Sequence, residues 1–86
     1  MGGGIAGAGH PVTLVLYHRI ADAECAGVRR IIVERGLKPK IDFQNVLTDA
    51  VDAFAKLGGE RVPALWDGTT LHQGRDAVLA ALDRMR

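Results

Sequence analysis

The chain has 86 residues, 48% of them hydrophobic, which is enough for one domain with a thin core. A formal charge of +1, from 11 basic and 10 acidic residues, argues against binding to nucleic acid or to an anionic membrane surface. The single cysteine excludes an internal disulfide and, with three scattered histidines, gives no metal-ligand spacing, so we expect no metal and a cytoplasmic location.

The first ten residues are rich in glycine, and we interpret residues 1–10 as a flexible N-terminal leader. Ordering such a segment costs much conformational entropy. The segment also lacks the basic start and the long apolar stretch of an export signal. We therefore expect one domain over residues 11–86.

A central strand and a helix are predicted next. The stretch Val12–Tyr17 is almost continuously apolar, as in a strand that is covered on both faces. A first helix is predicted from Asp22 to Arg35, with Asp22 as its N-cap and Gly36 as its stop. The apolar face of this helix consists of Cys25, Val28, Ile31 and Ile32, whereas Arg29 and Arg30 are expected on its solvated face.

A second strand and a short helix follow. Apolar and polar residues alternate at Ile41 and Phe43 within residues 38–46, which predicts an exposed edge strand. A second helix is predicted from Asp49 to Leu57, with Thr48 as a candidate N-cap.

The last third of the chain indicates a hairpin and a final helix. Strands are predicted at Pro63–Trp66 and Thr69–Leu71 around an Asp67-Gly68 turn, followed by a helix from Arg75 to Met85. The element order is β-α-β-α-β-β-α. A βαβ unit implies parallel strands and a hairpin adds antiparallel ones, so we expect an α/β fold with a four-stranded mixed sheet and three helices.

Three stretches carry a resemblance to a known fold: Leu14–Tyr17, Val28–Leu37 and Val62–Gly68. With this element order, the chain resembles thioredoxin-like proteins, and among them glutaredoxins and the N-terminal domain of glutathione S-transferases. The likeness covers about residues 12–82. In those families the proline is cis and the backbone of the preceding residue pairs with the cysteinyl part of glutathione, so the resemblance implies this role for Val62 and Pro63.

The resemblance also implies contacts with the charged ends of glutathione or of another thiol-containing peptide or protein. Glutaredoxins commonly carry a basic residue that holds a glutathione carboxylate at the position of Arg19. They bind the γ-glutamyl end at the start of the last helix. The residues that correspond in this sequence are Gln73, Gly74, Arg75 and Asp76.

The chain departs from the glutaredoxin pattern where the reactive residue stands. The pattern Cys-x-x-Cys reads Asp22-Ala23-Glu24-Cys25, so Asp22 replaces the nucleophile and Cys25 is the remaining candidate catalytic residue. A carboxylate caps a helix but cannot exchange disulfides. An apolar environment and the acidic neighbours would raise the pKa of the Cys25 thiol, whereas nearby arginines would lower it.

Three hypotheses remain open at this point. The first is a thioredoxin-fold protein that binds glutathione or a thiol peptide with little catalysis, in a groove formed by Arg19, Asp22, Cys25, Val62, Pro63, Gly74 and Asp76. The second is a monothiol disulfide oxidoreductase that uses Cys25. The third is a non-catalytic interaction module that has kept only the fold. The oligomeric state is not determined by the sequence.

Overall fold

The structure is a computed structural model that describes residues 14–84. The predicted flexible leader at residues 1–10, the predicted start of the first strand at Val12 and the predicted end of the last helix at Met85 lie outside these residues.

In the part of the chain that the structure describes, four strands form one mixed sheet in the order β2-β1-β3-β4. The strands are β1 (Leu14–His18), β2 (Ile41–Asn45), β3 (Ala64–Trp66) and β4 (Leu71–Gln73). Strand β1 runs parallel to β2 and antiparallel to β3, and β4 runs antiparallel to β3. The predictions of a central first strand and an edge second strand are confirmed.

Between residues 14 and 84, three α-helices accompany the sheet: α1 (Ala23–Glu34), α2 (Val51–Lys56) and α3 (Arg75–Asp83). The element order β-α-β-α-β-β-α and the mixed four-stranded sheet are those of a thioredoxin-like α/β fold, as predicted. Asp22 and Arg35 are the caps of α1, so the predicted bounds of this helix are also confirmed.

The sheet separates two apolar clusters, because successive side chains of a strand point to opposite faces. Leu16 of β1 packs into the larger cluster, with residues of α1 and α3. The neighbouring Tyr17 packs into the smaller cluster, with residues of α2. The nearly continuous apolar run of β1 is therefore explained by cover on both faces.

Strand β1 extends one residue further than predicted. His18, expected to follow the strand, pairs with Asn45 in the parallel ladder, and its carbonyl oxygen accepts a hydrogen bond from the Val46 amide at 3.0 Å. The side chain of His18 is only 7% exposed. The apolar run of the sequence could not indicate this extension, because a polar residue ended the pattern.

The segment between β2 and α2 differs from its prediction. Helix α2 begins at Val51 with Ala50 as its N-cap, and Thr48 makes no side-chain cap. Asn45 organises this turn instead, because its side-chain oxygen accepts from the Leu47 amide at 2.9 Å and its carbonyl accepts from residues 48–50. Residues 38–40, predicted as part of the strand, form a short 3₁₀ helix.

The hairpin turn is longer than the predicted two-residue Asp67-Gly68 turn. Asp67 accepts hydrogen bonds from the amides of Thr69 and Thr70, both at 2.8 Å, which holds these residues in the turn. Strand β4 consequently begins at Leu71, where the prediction placed its end. The predicted β3 loses only Pro63, which has no amide proton to donate to the sheet.

Candidate functional site

A polar surface cavity of about 370 Å³ lies at the amino end of α3. It is lined by Glu24, Arg61, Gln73, Gly74, Arg75, Asp76 and Ala77. The structure therefore brings together four residues that the sequence analysis proposed as binding residues, those at positions 73–76. Sequence analysis did not propose Arg61 and Glu24. Arg61 could have been found from its position directly before Val62-Pro63.

The start of α3 presents free backbone amides to this cavity. Gly74 is the N-cap, with a φ of 94° that favours glycine, and among residues 14–84 no side chain caps the helix. The amides of Arg75, Asp76 and Ala77 therefore have no carbonyl within the helix to bond. The Gly74 amide donates to the Pro63 carbonyl at 2.8 Å, which joins the helix start to the proline segment.

Charges of both signs line the cavity. Arg61 and Arg75 supply guanidinium groups, whereas Glu24 and Asp76 supply carboxylates. The Arg75 and Asp76 side chains lie 3.4 Å apart but are 50% and 98% exposed, so water screens this pair and leaves both groups open to a ligand. Such a lining suits a small zwitterion better than a simple anion.

Gln73 orders the loop that carries Arg61. Its side-chain oxygen accepts hydrogen bonds from the amides of Glu60 and Arg61 at 2.7 and 2.9 Å. Its side-chain nitrogen donates to the Gly58 carbonyl at 3.4 Å. The Gln73 side chain thus positions Arg61 at the cavity, besides lining the cavity itself.

The Val62–Pro63 segment lies between Arg61 and β3. The peptide bond between Val62 and Pro63 is cis, Pro63 is buried and Val62 is half-buried. Within residues 14–84, no hydrogen bond involves the backbone amide or carbonyl of Val62. These two residues adjoin the cavity lining in the chain but are not part of it.

Asp22, which the sequence analysis aligned with the glutaredoxin nucleophile, is the N-cap of α1. One of its carboxylate oxygens accepts a hydrogen bond from the Cys25 amide at 2.9 Å. This backbone hydrogen bond, followed by one with the Cys25 side chain, lowers the pKa of the Asp22 carboxyl below its ordinary value. Asp22 is thus an ionised cap, and it does not line the cavity.

Cys25 is completely buried one turn into α1. Its sulfur accepts a weak hydrogen bond from the Arg19 amide at 3.4 Å. Burial is the main cause that raises the pKa of the thiol to about 11, and Asp22 contributes in the same direction. Only about one thiol in ten thousand is ionised at neutral pH under these conditions.

Arg29 differs most from its predicted role. The sequence analysis placed it on a solvated helix face, but the side chain turns back onto the β1–α1 loop (residues 19–22). Its Nη1 donates to His18 Nδ1 at 2.8 Å and to the Arg19 carbonyl at 3.1 Å, and its Nη2 donates to the Ile20 carbonyl at 3.2 Å. Arg19 itself is exposed in this loop and does not line the cavity.

Two further findings concern the part of the chain that the structure describes. Within residues 14–84, no cluster of three or more His, Cys, Asp or Glu side chains could hold a metal ion. No helix in the same range combines the length and apolar character that a membrane-spanning segment needs.

Comparison with protein-family models gives no match to this chain, and comparison with curated proteins gives none either.

Proposed function

We propose that this protein binds glutathione, or a similar short thiol peptide, at the cavity beside Val62-Pro63, with little catalysis of its own. In this proposal it is a cytoplasmic protein that resembles glutaredoxins and the N-terminal domain of glutathione S-transferases. The observation that carries the proposal is a cavity in which free helix amides, two arginines and two carboxylates surround one small volume.

The charged ends of such a peptide suit this lining. A carboxylate is favoured at the amides of Arg75, Asp76 and Ala77, because a helix amino end carries a partial positive charge. The guanidinium groups of Arg61 and Arg75 favour the same charge. An ammonium group is favoured by Glu24 and Asp76, so one α-amino acid end finds partners for both of its charges.

The middle of an extended peptide suits the Val62 backbone. Its amide and carbonyl have no partner among the described residues, and the next residue toward the cavity is Arg61. A peptide that pairs with Val62 would therefore lie beside a residue of the cavity lining.

The state of Cys25 supports binding without catalysis. Thiol-disulfide exchange requires an accessible thiolate. The Cys25 sulfur is buried, and the raised pKa of about 11 keeps it protonated at neutral pH. The monothiol oxidoreductase hypothesis would require α1 to open before its cysteine could react.

An NMR titration of the ¹⁵N-labelled protein with reduced glutathione tests the proposal. We expect saturable shifts at the amides of Arg61, Val62, Gly74, Arg75 and Asp76, at millimolar or lower ligand concentration. S-methylglutathione should cause the same shifts, because no thiol chemistry is involved. Glutathione with esterified carboxylates should bind more weakly.

Arg61→Met provides the variant test. It should raise the Kd for glutathione about 1.4-fold to fivefold, in line with the ~0.2–1 kcal/mol of one exposed ion pair. Arg30→Met removes the same charge from an exposed position of α1 and should leave the Kd unchanged. Absence of shifts at the five amides in about 10 mM glutathione, where even a weak specific complex would be populated, would contradict the proposal.

A further inference from the structure

One guanidinium group holds the β1–α1 loop. Arg29 reaches from α1 to two loop carbonyls, those of Arg19 and Ile20, and to the ring of His18 at the end of β1. The same loop presents the Arg19 amide to the Cys25 sulfur and ends at Asp22, the cap of α1. The Arg29 side chain therefore holds the loop that leads into α1.

The contact between Arg29 and His18 defines the protonation of the imidazole. A guanidinium has only N–H donors, so a contact of 2.8 Å from its Nη1 requires a lone pair on His18 Nδ1. Neutral His18 provides that lone pair, with its proton on Nε2. In the imidazolium form, Nδ1 would carry a proton, so an N–H donor and a positive charge would face the guanidinium.

The surroundings of His18 include few charged groups among residues 14–84. Arg29 faces it from α1, and Asp49 acts on it from the turn after β2. The Phe43 ring of β2 lies edge-on to the His18 ring, with the ring centroids 5.5 Å apart. The Lys38 ammonium lies 4.7 Å from the centroid of the Phe43 ring. Burial is the main cause that lowers the pKa of His18, and Arg29 adds to it, whereas Asp49 opposes it.

We propose that His18 and Arg29 form a pH-sensitive latch that holds the β1–α1 loop when His18 is neutral and releases it when His18 is protonated. On release, Arg29 leaves the carbonyls of Arg19 and Ile20, and the loop gains freedom. Release of the loop does not depend on the proposed function. Only an effect of this release on the affinity for glutathione would depend on it.

The sign of the pH dependence follows from the direction of the shift. Because the pKa of His18 in the folded protein is lower than its ordinary value of 6.5, folding favours the neutral ring. The latch contributes its full stabilisation above that value, and the contribution is lost as the pH falls through the folded-state pKa.

A titration of the ¹⁵N-labelled full chain without ligand, from about pH 8 down to the pH at which the His18 ring signals show full protonation, tests the latch. We expect the amides of Ile20, Ala21 and Asp22 and the Nε–Hε signal of Arg29 to shift with the midpoint of the His18 ring. Hydrogen bonding to Cys25 lowers the pKa of the Asp22 carboxyl, and a His18→Asn variant, which keeps Asp22, distinguishes a titration of this carboxylate from that of the His18 ring.

Three variants make the test specific. His18→Asn keeps an acceptor close to the position of Nδ1 but cannot titrate, so the loop shifts should vanish while the loop stays held at all pH values. Arg29→Met should give at about pH 7.5 the loop spectrum that the unchanged protein shows when its His18 ring is protonated. Arg30→Met and His72→Gln, on an exposed helix position and in the hairpin, should leave the loop titration as it is.

Loop amides that stay unchanged while His18 titrates would overturn the latch, and so would loop shifts that persist in His18→Asn. The titration of the unchanged protein is decisive even where a variant does not fold. A latch that responds to pH in a protein that binds no glutathione would contradict only the proposed function.

Discussion

At the scale of single residues, the chemistry of this protein depends on Asp22. Its carboxylate accepts a hydrogen bond from the Cys25 amide at 2.9 Å and so caps α1. The same carboxylate raises the pKa of the Cys25 thiol, which burial has already raised. The Asp22 side chain therefore both caps the helix and lowers the reactivity of its cysteine.

The reactivity of Cys25 is the prediction at this scale. A pKa raised from 9.0 to about 11 implies that alkylation by iodoacetamide at about pH 8 is ~100-fold slower in the folded protein than in the urea-unfolded chain. Asp22→Asn keeps a capping side chain but removes the charge, so it should accelerate the reaction, though less than unfolding does. Equal rates in the folded and unfolded protein would contradict the assignment of a buried, protonated thiol.

At the scale of elements, the end of α2 depends on a glycine. The Gly59 amide donates to the Phe54 carbonyl at 2.9 Å, and a Cβ at residue 59 would lie 2.5 Å from the Phe54 ring. This ring also packs on Tyr17, with the ring centroids 5.1 Å apart. The return of the chain from α2 toward β3 therefore leaves no room for a side chain.

A matched pair of alanine variants tests this packing. Gly59→Ala should lower the free energy of unfolding by about 1–3 kcal/mol, because the Phe54 ring must move. Gly27→Ala, inside α1 with no atom within 4 Å of the added Cβ, should raise it by about 0.5–1 kcal/mol through helix propensity. Urea unfolding measures both, and a Gly59→Ala variant as stable as the unchanged protein would show that the ring has free space.

At the scale of the whole molecule, the sheet and its two clusters hold the site residues in place. The larger cluster contains Val28 and Ile32 of α1 and Val78 and Leu82 of α3, and it joins these helices to β1 and β3. The helices that carry Asp22 and Gly74 at their amino ends are thus positioned by the same core. The exposed ion pair of Arg35 and Asp83 adds little to this attachment.

Alanine substitutions of two leucines compare the stability contribution of a core position with that of a surface position. Leu82→Ala should lower the free energy of unfolding by about 2–5 kcal/mol, because a fully buried side chain leaves a cavity. Leu47→Ala, at a position that is 64% exposed, should change it by less than about 0.5 kcal/mol. Thermal or urea unfolding checks both values, and similar effects of the two variants would contradict the described core.

The turns show where prediction from sequence reaches its limit. Thr48 has a side chain that can cap a helix, but Asn45, at the end of β2, accepts the hydrogen bonds from the turn amides instead. Asp67 likewise accepts hydrogen bonds from the amides of Thr69 and Thr70, so these residues belong to the hairpin turn and β4 begins later in the chain than predicted. Several side chains in each turn can accept hydrogen bonds from the same backbone amides, and the residue pattern of the turn does not decide which of them does.

By itself, the sequence determined the order of the strands and α-helices, because strand alternation and helical spacing depend on near neighbours in the chain. The tertiary structure alone decided which distant polar groups meet. Arg29 bonds to His18 across 11 positions, and Glu24 joins the start of α3 at one cavity. These encounters depend on how the helices cross the sheet, and no periodicity along the chain encodes that geometry.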